Sequence, residues 1–183
     1  MTGHARGLIT INIAEGDDAE RERRRAALGE PYRTLLGHLR HEVGHYYWDR
    51  LVAARGNLDR FRALFGDERA DYAAALAAHY ADGPAAGWQQ AFISSYASAH
   101  PWEDFAETWA HYIHIVDTLE TASAFGMQVR HPDGLENARL FDPYRVAHAD
   151  RLIGSWVPLT VAINAVNRSM GQPDLYPFVV SAP

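Results

Sequence analysis

The stretch "GHLRHEVGHYYWDR" carries His41, Glu42 and His45 in the order H-E-x-x-H. On a helix, residues i and i+4 share a face, so His41 and His45 present two imidazoles to one point, as a zinc ion requires. Glu42 lies one position on, about 100° around the axis. It cannot easily join the same shell, but it can reach a water at the metal's open position. Zinc lowers the pKa of such a water towards neutrality, and a neighbouring carboxylate can then take its proton. Gly44 removes a side chain beside this face and allows another element to approach closely. His38 shares the face of His41 and His45 and reads as a neighbour rather than a ligand. With ten His and ten Glu in 183 residues, chance supplies the pattern on the order of a few hundredths of the time. The competing reading is a pair of surface His with a Glu on a helix.

Two His need a further protein ligand. The segment "HPWEDFAETWAHYIH" (100 to 114) offers Glu103, Asp104, Glu107, His111 and His114 on one predicted helix. Phe105, Trp109, Tyr112 and Val116 form an apolar stripe on it. Glu103, Ala106, Glu107, Ala110 and His114 form a different face. Ala106 and Ala110 are small, so this face can pack closely against the helix that carries HEVGH. Carboxylates on such a face need a partner, because burying them unpaired is costly. A zinc ion with its His ligands would be that partner; a solvated acidic face at a helix N-terminus is the bland alternative. Spacing leaves open whether Glu103 or Glu107 is the ligand. Asp104 points elsewhere and serves the helix N-terminus, and His100 is a reserve ligand.

The elements that must position these groups read as follows. "GLITINIAE" (7 to 15) alternates Ile9, Ile11 and Ile13 against Thr10 and Asn12, a half-buried strand. "EGDDAERERRRAALGE" has no clear apolar face and reads as a connector, in part helical. Pro31 suits a first helical turn, and nothing but Gly37 and Gly44 interrupts the helix until Arg55, with Gly56 as its stop. Further helices are expected over 57 to 66, after an Asp67 cap, over 87 to 99, from Pro101, and over 155 to 171 with Pro158 in the first turn. Residues 126 to 154 read mainly as loop. One strand makes no sheet; "MQVR" (127 to 130) and "PFVV" (177 to 180) are its candidate partners.

"HEVGH" followed by "EDFAETWAHY" resembles the Mx group of zinc-binding metallopeptidases, within the zincin superfamily. The similarity runs over nearly the whole chain, including "GLITINIAE", "DERADYAAAL", "HPWEDFAETWA" and "DLYPF". Members often carry an N-terminal zinc-ribbon-like region; this chain has no Cys and resembles the catalytic domain alone. The resemblance implies a gluzincin-type third ligand: "EDFAE" is similar to the third-ligand helix of lethal-factor-like peptidases, which makes Glu103 the ligand. Glu107, one turn on, would then hold a ligand His by its other nitrogen. It also implies that Tyr96, seven residues before Glu103, lies near the zinc and stabilises the oxyanion. The 7 to 15 strand precedes the metal helix as the substrate-pairing edge strand does in zincins, although an internal strand fits equally.

Composition bounds the rest. At 183 residues with 48% hydrophobic residues the chain can bury a core and is expected to form one domain over residues 1–183. The abrupt end after "FVV" fits truncation. A net charge of −6 argues against nucleic-acid partners and anionic membranes. All 17 basic residues are Arg, a bias of coding rather than of function. Residues 1 to 14 lack a signal-peptide pattern and no apolar run reaches 18 residues, so a cytoplasmic location is the default. The expected fold is α+β, mainly helical, a zincin-like domain with a small sheet. The expected function is hydrolysis of a peptide or protein substrate with Zn2+ held by His41, His45 and Glu103, Glu42 as general base and Tyr96 as electrophile. A zinc-dependent binding or scaffold domain is the rival, and Glu42 speaks against it, since a structural site needs no base. A metal-free interaction module using exposed aromatics is the second rival.

Overall fold

The computed structural model describes residues 2–28, 34–129, 142–146 and 148–178. It begins with an antiparallel hairpin, β1 (Gly3–Ala5) against β2 (Leu8–Thr10), in register Gly3 to Thr10, His4 to Ile9 and Ala5 to Leu8. The two-residue turn holds Arg6 at φ 50° and Gly7 at φ 82°. Two positive φ values in succession match the right-handed twist of the flanking strands. The expected strand over 7 to 15 is thus shorter than its alternation suggests. Asn12 accepts a hydrogen bond from the Ala14 N–H through its side chain and turns the chain into a 3-10 segment, Ile13–Gly16. Ile13 is 93% exposed. The partner of this strand is the preceding segment. Of the candidate partners over 127 to 130 and 177 to 180, Met127–Val129 and Pro177–Phe178 are not strand, and the rest lies outside the described residues.

The expected connector after it is helix α1 (Asp18–Leu28). Asp17 caps it by accepting from the Glu20 N–H at 2.8 Å, which offsets an orphan donor of the first turn. Helix α2 (Leu35–Trp48) carries HEVGH. Thr34 caps it by accepting from the Gly37 N–H, and it runs on into a π-helical segment, Asp49–Ala53. Pro31, the expected start, lies outside the described residues. Helices α3 (Leu58–Phe65) and α4 (Tyr72–Asp82) follow. The cap of α4 is Asp71, accepting from the Ala74 N–H, not Asp67, whose carboxylate bonds the Arg69 side chain and N–H. The helix expected over 87 to 99 reduces to two 3-10 turns, Trp88–Gln90 and Tyr96–Ala99. Ser94 accounts for part of this, because its Oγ accepts from the Ala97 N–H and competes with helical pairing. Helix α5 (Pro101–Ala124) and helix α6 (Ala149–Ser169) complete the fold, with Pro158 inside α6 rather than in its first turn.

The chain divides into two compact units, residues 1–111 with 178–183 and residues 112–177, the division falling within α5. In the first unit α2 and α5 touch at backbone distance. A Cβ on Gly44 would lie 2.9 Å from Ala106 Cα and 3.1 Å from Ala106 O, so only Gly fits here. Ala106 and Ala110 are buried at this contact face, and Phe61, Val52 and Ala97 add apolar bulk. Aromatic pairs extend it: Trp48 meets Phe61 edge-on, Phe65 meets Phe105, and Tyr47 stacks on Trp109. The second unit buries Ile115, Val116, Leu119 and Ala122 of α5 and Leu152, Trp156 and Leu159 of α6. Its tail is tied down where Asn164 Nδ2 donates to the Tyr176 carbonyl and Oδ1 accepts from the Tyr176 N–H. The stripe expected on α5 fails at Tyr112, which is exposed. Among the described residues no helix is long and apolar enough to cross a membrane.

Candidate metal centre

Helix α2 delivers His41 and His45 one turn apart, and α5 delivers Glu103 from its first turn. His41 Nε2 lies 3.0 Å and His45 Nε2 3.3 Å from Glu103 Oε2. Three ligand atoms, one from each residue, all fall within 4.8 Å of one another. A tetrahedral zinc shell with bonds of about 2.0–2.1 Å spaces its ligand atoms about 3.3 Å apart. Glu103 is 1% exposed, yet its Oε2 makes no hydrogen bond. A buried carboxylate oxygen within ion-pair distance of two imidazole nitrogens, yet without a well-directed hydrogen bond to either, is a costly arrangement on its own. A divalent cation at their common focus removes that cost, so the donor set fits a metal.

The other atoms of these side chains are held in place. His41 Nδ1 lies 2.7 Å from Glu107 Oε1, and Glu107 Oε2 accepts from Ser94 Oγ at 2.5 Å. Glu103 Oε1 accepts from the Tyr72 hydroxyl. The His45 ring stacks on Trp102, centroids 3.7 Å apart. Fixing ligands through their non-ligating atoms sets ring orientation and tautomer.

Electrostatics follow from burial and these contacts. Burial works against a charged His41, but Glu103 and Glu107 override it and raise its pKa to about 10. Burial, with Glu103 acting in the opposite sense, lowers His45. Burial would raise Glu103, but the His41 and His45 imidazoles hold its carboxyl well below the usual range. Glu107, likewise opposed by burial, is held at about 2 by His41. The two carboxylates that keep a proton on His41 are the charge arrangement that favours a divalent cation in its place.

Glu42 is buried beside the pair. Tyr96, in the turn before α5, has its ring centroid 5.9 Å from that of His41. Burial raises its pKa, with Glu103 and Tyr72 adding to the effect, so its hydroxyl stays a donor. His100, the reserve ligand, is used otherwise: its Nδ1 accepts from the Trp102 N–H at 3.1 Å and its Nε2 lies 3.2 Å from the Ala70 carbonyl. Asp104 is buried, 3.5 Å from Thr108 Oγ1, and burial raises its pKa to about 7. Tyr72 and Ser94 left no trace in motif spacing, since they reach Glu103 and Glu107 across 31 and 13 residues. Glu15, also buried, contacts His38 of α2.

Two His from one helix and a carboxylate from a second form a buried group that could hold a metal ion. The family model described as "Putative zinc-binding metallo-peptidase" matches residues 1–183, and the chain belongs to that family. Relatives described as uncharacterized proteins occur in Mycobacterium bovis and in two strains of Mycobacterium tuberculosis. Each is 50% identical over 184 aligned residues, covering 99% of this chain and 52% of the relative. The chain thus spans about half the length of the curated relatives it matches. No solved structure matches it.

Proposed function

We propose that this chain is a zinc-dependent peptidase domain of gluzincin type, with His41, His45 and Glu103 as the protein ligands. The observation that carries the reading is the bare, buried Glu103 Oε2 between two imidazole nitrogens, one residue along the helix from a carboxylate. When bound, zinc supplies Lewis acidity for the scissile carbonyl and lowers the pKa of water towards neutrality. Glu42 takes the proton of the attacking water and returns it to the leaving amine. The Tyr96 hydroxyl, kept protonated by its burial, donates to the developing oxyanion. Glu107 orients His41 through Nδ1 and is itself oriented by Ser94, while Tyr72 holds the free oxygen of Glu103. The substrate class is peptide or protein. Membership of the family supports the reading.

Elemental analysis after exposure to zinc at neutral pH, followed by an unbiased peptide library, tests it. Bound zinc is expected, with cleavage reduced about 10²–10⁴-fold in Glu42→Gln and zinc content unchanged. A protein that refuses zinc, or holds it without any Glu42-dependent cleavage, overturns the peptidase reading.

A further inference from the structure

The first unit buries a carboxylate that the reaction outlined above does not use. Glu15, in the 3-10 turn after the hairpin, is 2% exposed. Its Oε2 lies 2.6 Å from His38 Nδ1. Its Oε1 accepts from Thr2 Oγ1 at 2.9 Å, and Thr2 Oγ1 in turn accepts from the Asn12 N–H. Its backbone carbonyl accepts from the Arg21 guanidinium. The side chain is therefore held by Thr2, just before the hairpin, and the backbone of its turn by Arg21 of α1. The other ring nitrogen of His38, Nε2, lies 3.4 Å from Glu42 Oε1.

His38 and Glu42 are i and i+4 on α2, so this contact runs along one face of the helix. His41 and His45 use the same spacing for the metal. The helix thus carries two interleaved i,i+4 pairs, one converging on Glu103 and one anchored on Glu15. A carboxylate behind an imidazole fixes the ring's tautomer and orientation, as it does behind a metal-ligating His. Here the oriented ring faces a second carboxylate. With Nδ1 committed to Glu15, Nε2 is the nitrogen left to meet Glu42. The contact sets Glu42 Oε1 against the anchored ring.

We propose that His38, buttressed by Glu15, is the positioning residue for Glu42. The proposal rests on the reading of Glu42 as general base. A free Glu side chain spreads over several rotamers, and reaction requires the one that meets the attacking water. Removing the anchor leaves the zinc ligands and substrate contacts in place and lowers the fraction of molecules poised to react. The effect belongs in kcat.

The test uses the zinc-loaded chain with a peptide that the wild type cleaves. His38→Ala and Glu15→Ala are each expected to lower kcat about 10–100-fold, the range for an outer partner of a catalytic group, with KM and the zinc dissociation constant unchanged. Glu15→Gln keeps an acceptor for His38 Nδ1 and is expected to recover most of that loss. If instead His38→Ala leaves kcat at the wild-type value, or its loss appears in zinc affinity, the proposal is wrong. Crystal structures of the zinc-loaded wild type and His38→Ala give a second readout that needs no turnover. Loss of a single Glu42 rotamer in the variant supports the assignment, and an unmoved Glu42 overturns it. Glu15→Ala gives the same comparison should His38→Ala fail to fold. Because wild type and Glu42→Gln are measured first, failure of the peptidase reading shows there, independently of whether His38 holds Glu42.

Discussion

Helix α5 carries both of the largest fully buried side chains among the described residues, Glu103 in the first unit and Val116 in the second. They are buried to the same degree and for opposite reasons. Val116 stabilises the fold by leaving water, about 1.5–3 kcal/mol for a side chain of its kind. Glu103 costs the fold several kcal/mol unless a counter-charge meets it. The same division runs through the two interiors. The first unit buries Glu15, His41, Glu42, His45, Ser94, His100, Asp104 and His111 beside a short apolar set, whereas the second is mainly Ile, Val, Leu, Ala and Trp. One interior is arranged around charge that something must neutralise; the other is an ordinary core. Substitutions in the first unit should therefore be read through metal and pH, and those in the second through stability alone.

The largest expected effect is at Glu103. Zinc at about a thousandfold excess over its dissociation constant should stabilise the wild type by about 4 kcal/mol, read as a shift in the unfolding midpoint. Glu103→Ala should remove most of that shift, losing more than about 100-fold in affinity by chelator competition. Glu107→Ala, which removes the partner of His41 Nδ1 and of Ser94 Oγ but no ligand, should lose about 10–100-fold. The reverse ranking would exchange the two roles.

Asp104 tests whether the charge burden extends past the metal. Its ordinary pKa of 3.8 is raised to about 7 by burial. Between those values the folded state holds a proton that the unfolded state has released. Stability contributed by this group therefore falls as pH rises from about 4 to 7 and stays low above it. Asp104→Asn keeps the shape without the charge. It should match the wild type near pH 3 and exceed it by on the order of 3 kcal/mol at pH 8, measured by denaturant unfolding of the metal-free protein. A constant difference across the range would show that Asp104 is not held neutral by burial.

The sequence disclosed the parts of this contrast that lie within one element. HEVGH and EDFAE are readable because helical spacing fixes which side chains share a face, and Ala106 and Ala110 announce a close approach by their size. What crosses between elements outside the two motifs was not readable. Tyr72 to Glu103, Ser94 to Glu107 and Glu15 to His38 join residues 31, 13 and 23 apart, and periodicity says nothing about such pairs. The hairpin was hidden because its first turn position is Arg6, not the Asn, Asp or Gly that a turn with positive φ favours. The alternation of Ile9, Ile11 and Ile13 misled because Asn12 uses its side chain to end the strand. Asp104 was expected to serve the helix N-terminus, but its side chain is buried and contacts Thr108, one turn further on.

Gly44 is where packing and site meet. A Cβ there would sit 2.9 Å from Ala106 Cα and 3.1 Å from Trp109 Cβ, and backbone cannot yield as a side-chain tip can. Gly44→Ala should cost about 2–3 kcal/mol by overpacking. It should also weaken zinc binding, because pushing α2 off α5 separates His41 and His45 from Glu103. A stability loss with unchanged zinc affinity would mean that the two helices can part at Gly44 without moving the ligands.

Val116→Ala is the counterpart with the smallest effect. It removes two buried methyl groups and should cost about 2 kcal/mol, the sum of lost transfer energy and a partly collapsed cavity. Val116 shares helix α5 with Glu103. If the two interiors respond independently, the zinc dissociation constant of Val116→Ala equals that of the wild type within error, and its unfolding midpoint falls equally with and without zinc. A larger loss in the zinc-loaded protein would mean that α5 transmits repacking of the apolar interior to Glu103, thirteen residues earlier on the same helix. The contrast between a charge-burying and an apolar unit would then describe composition but not energetics.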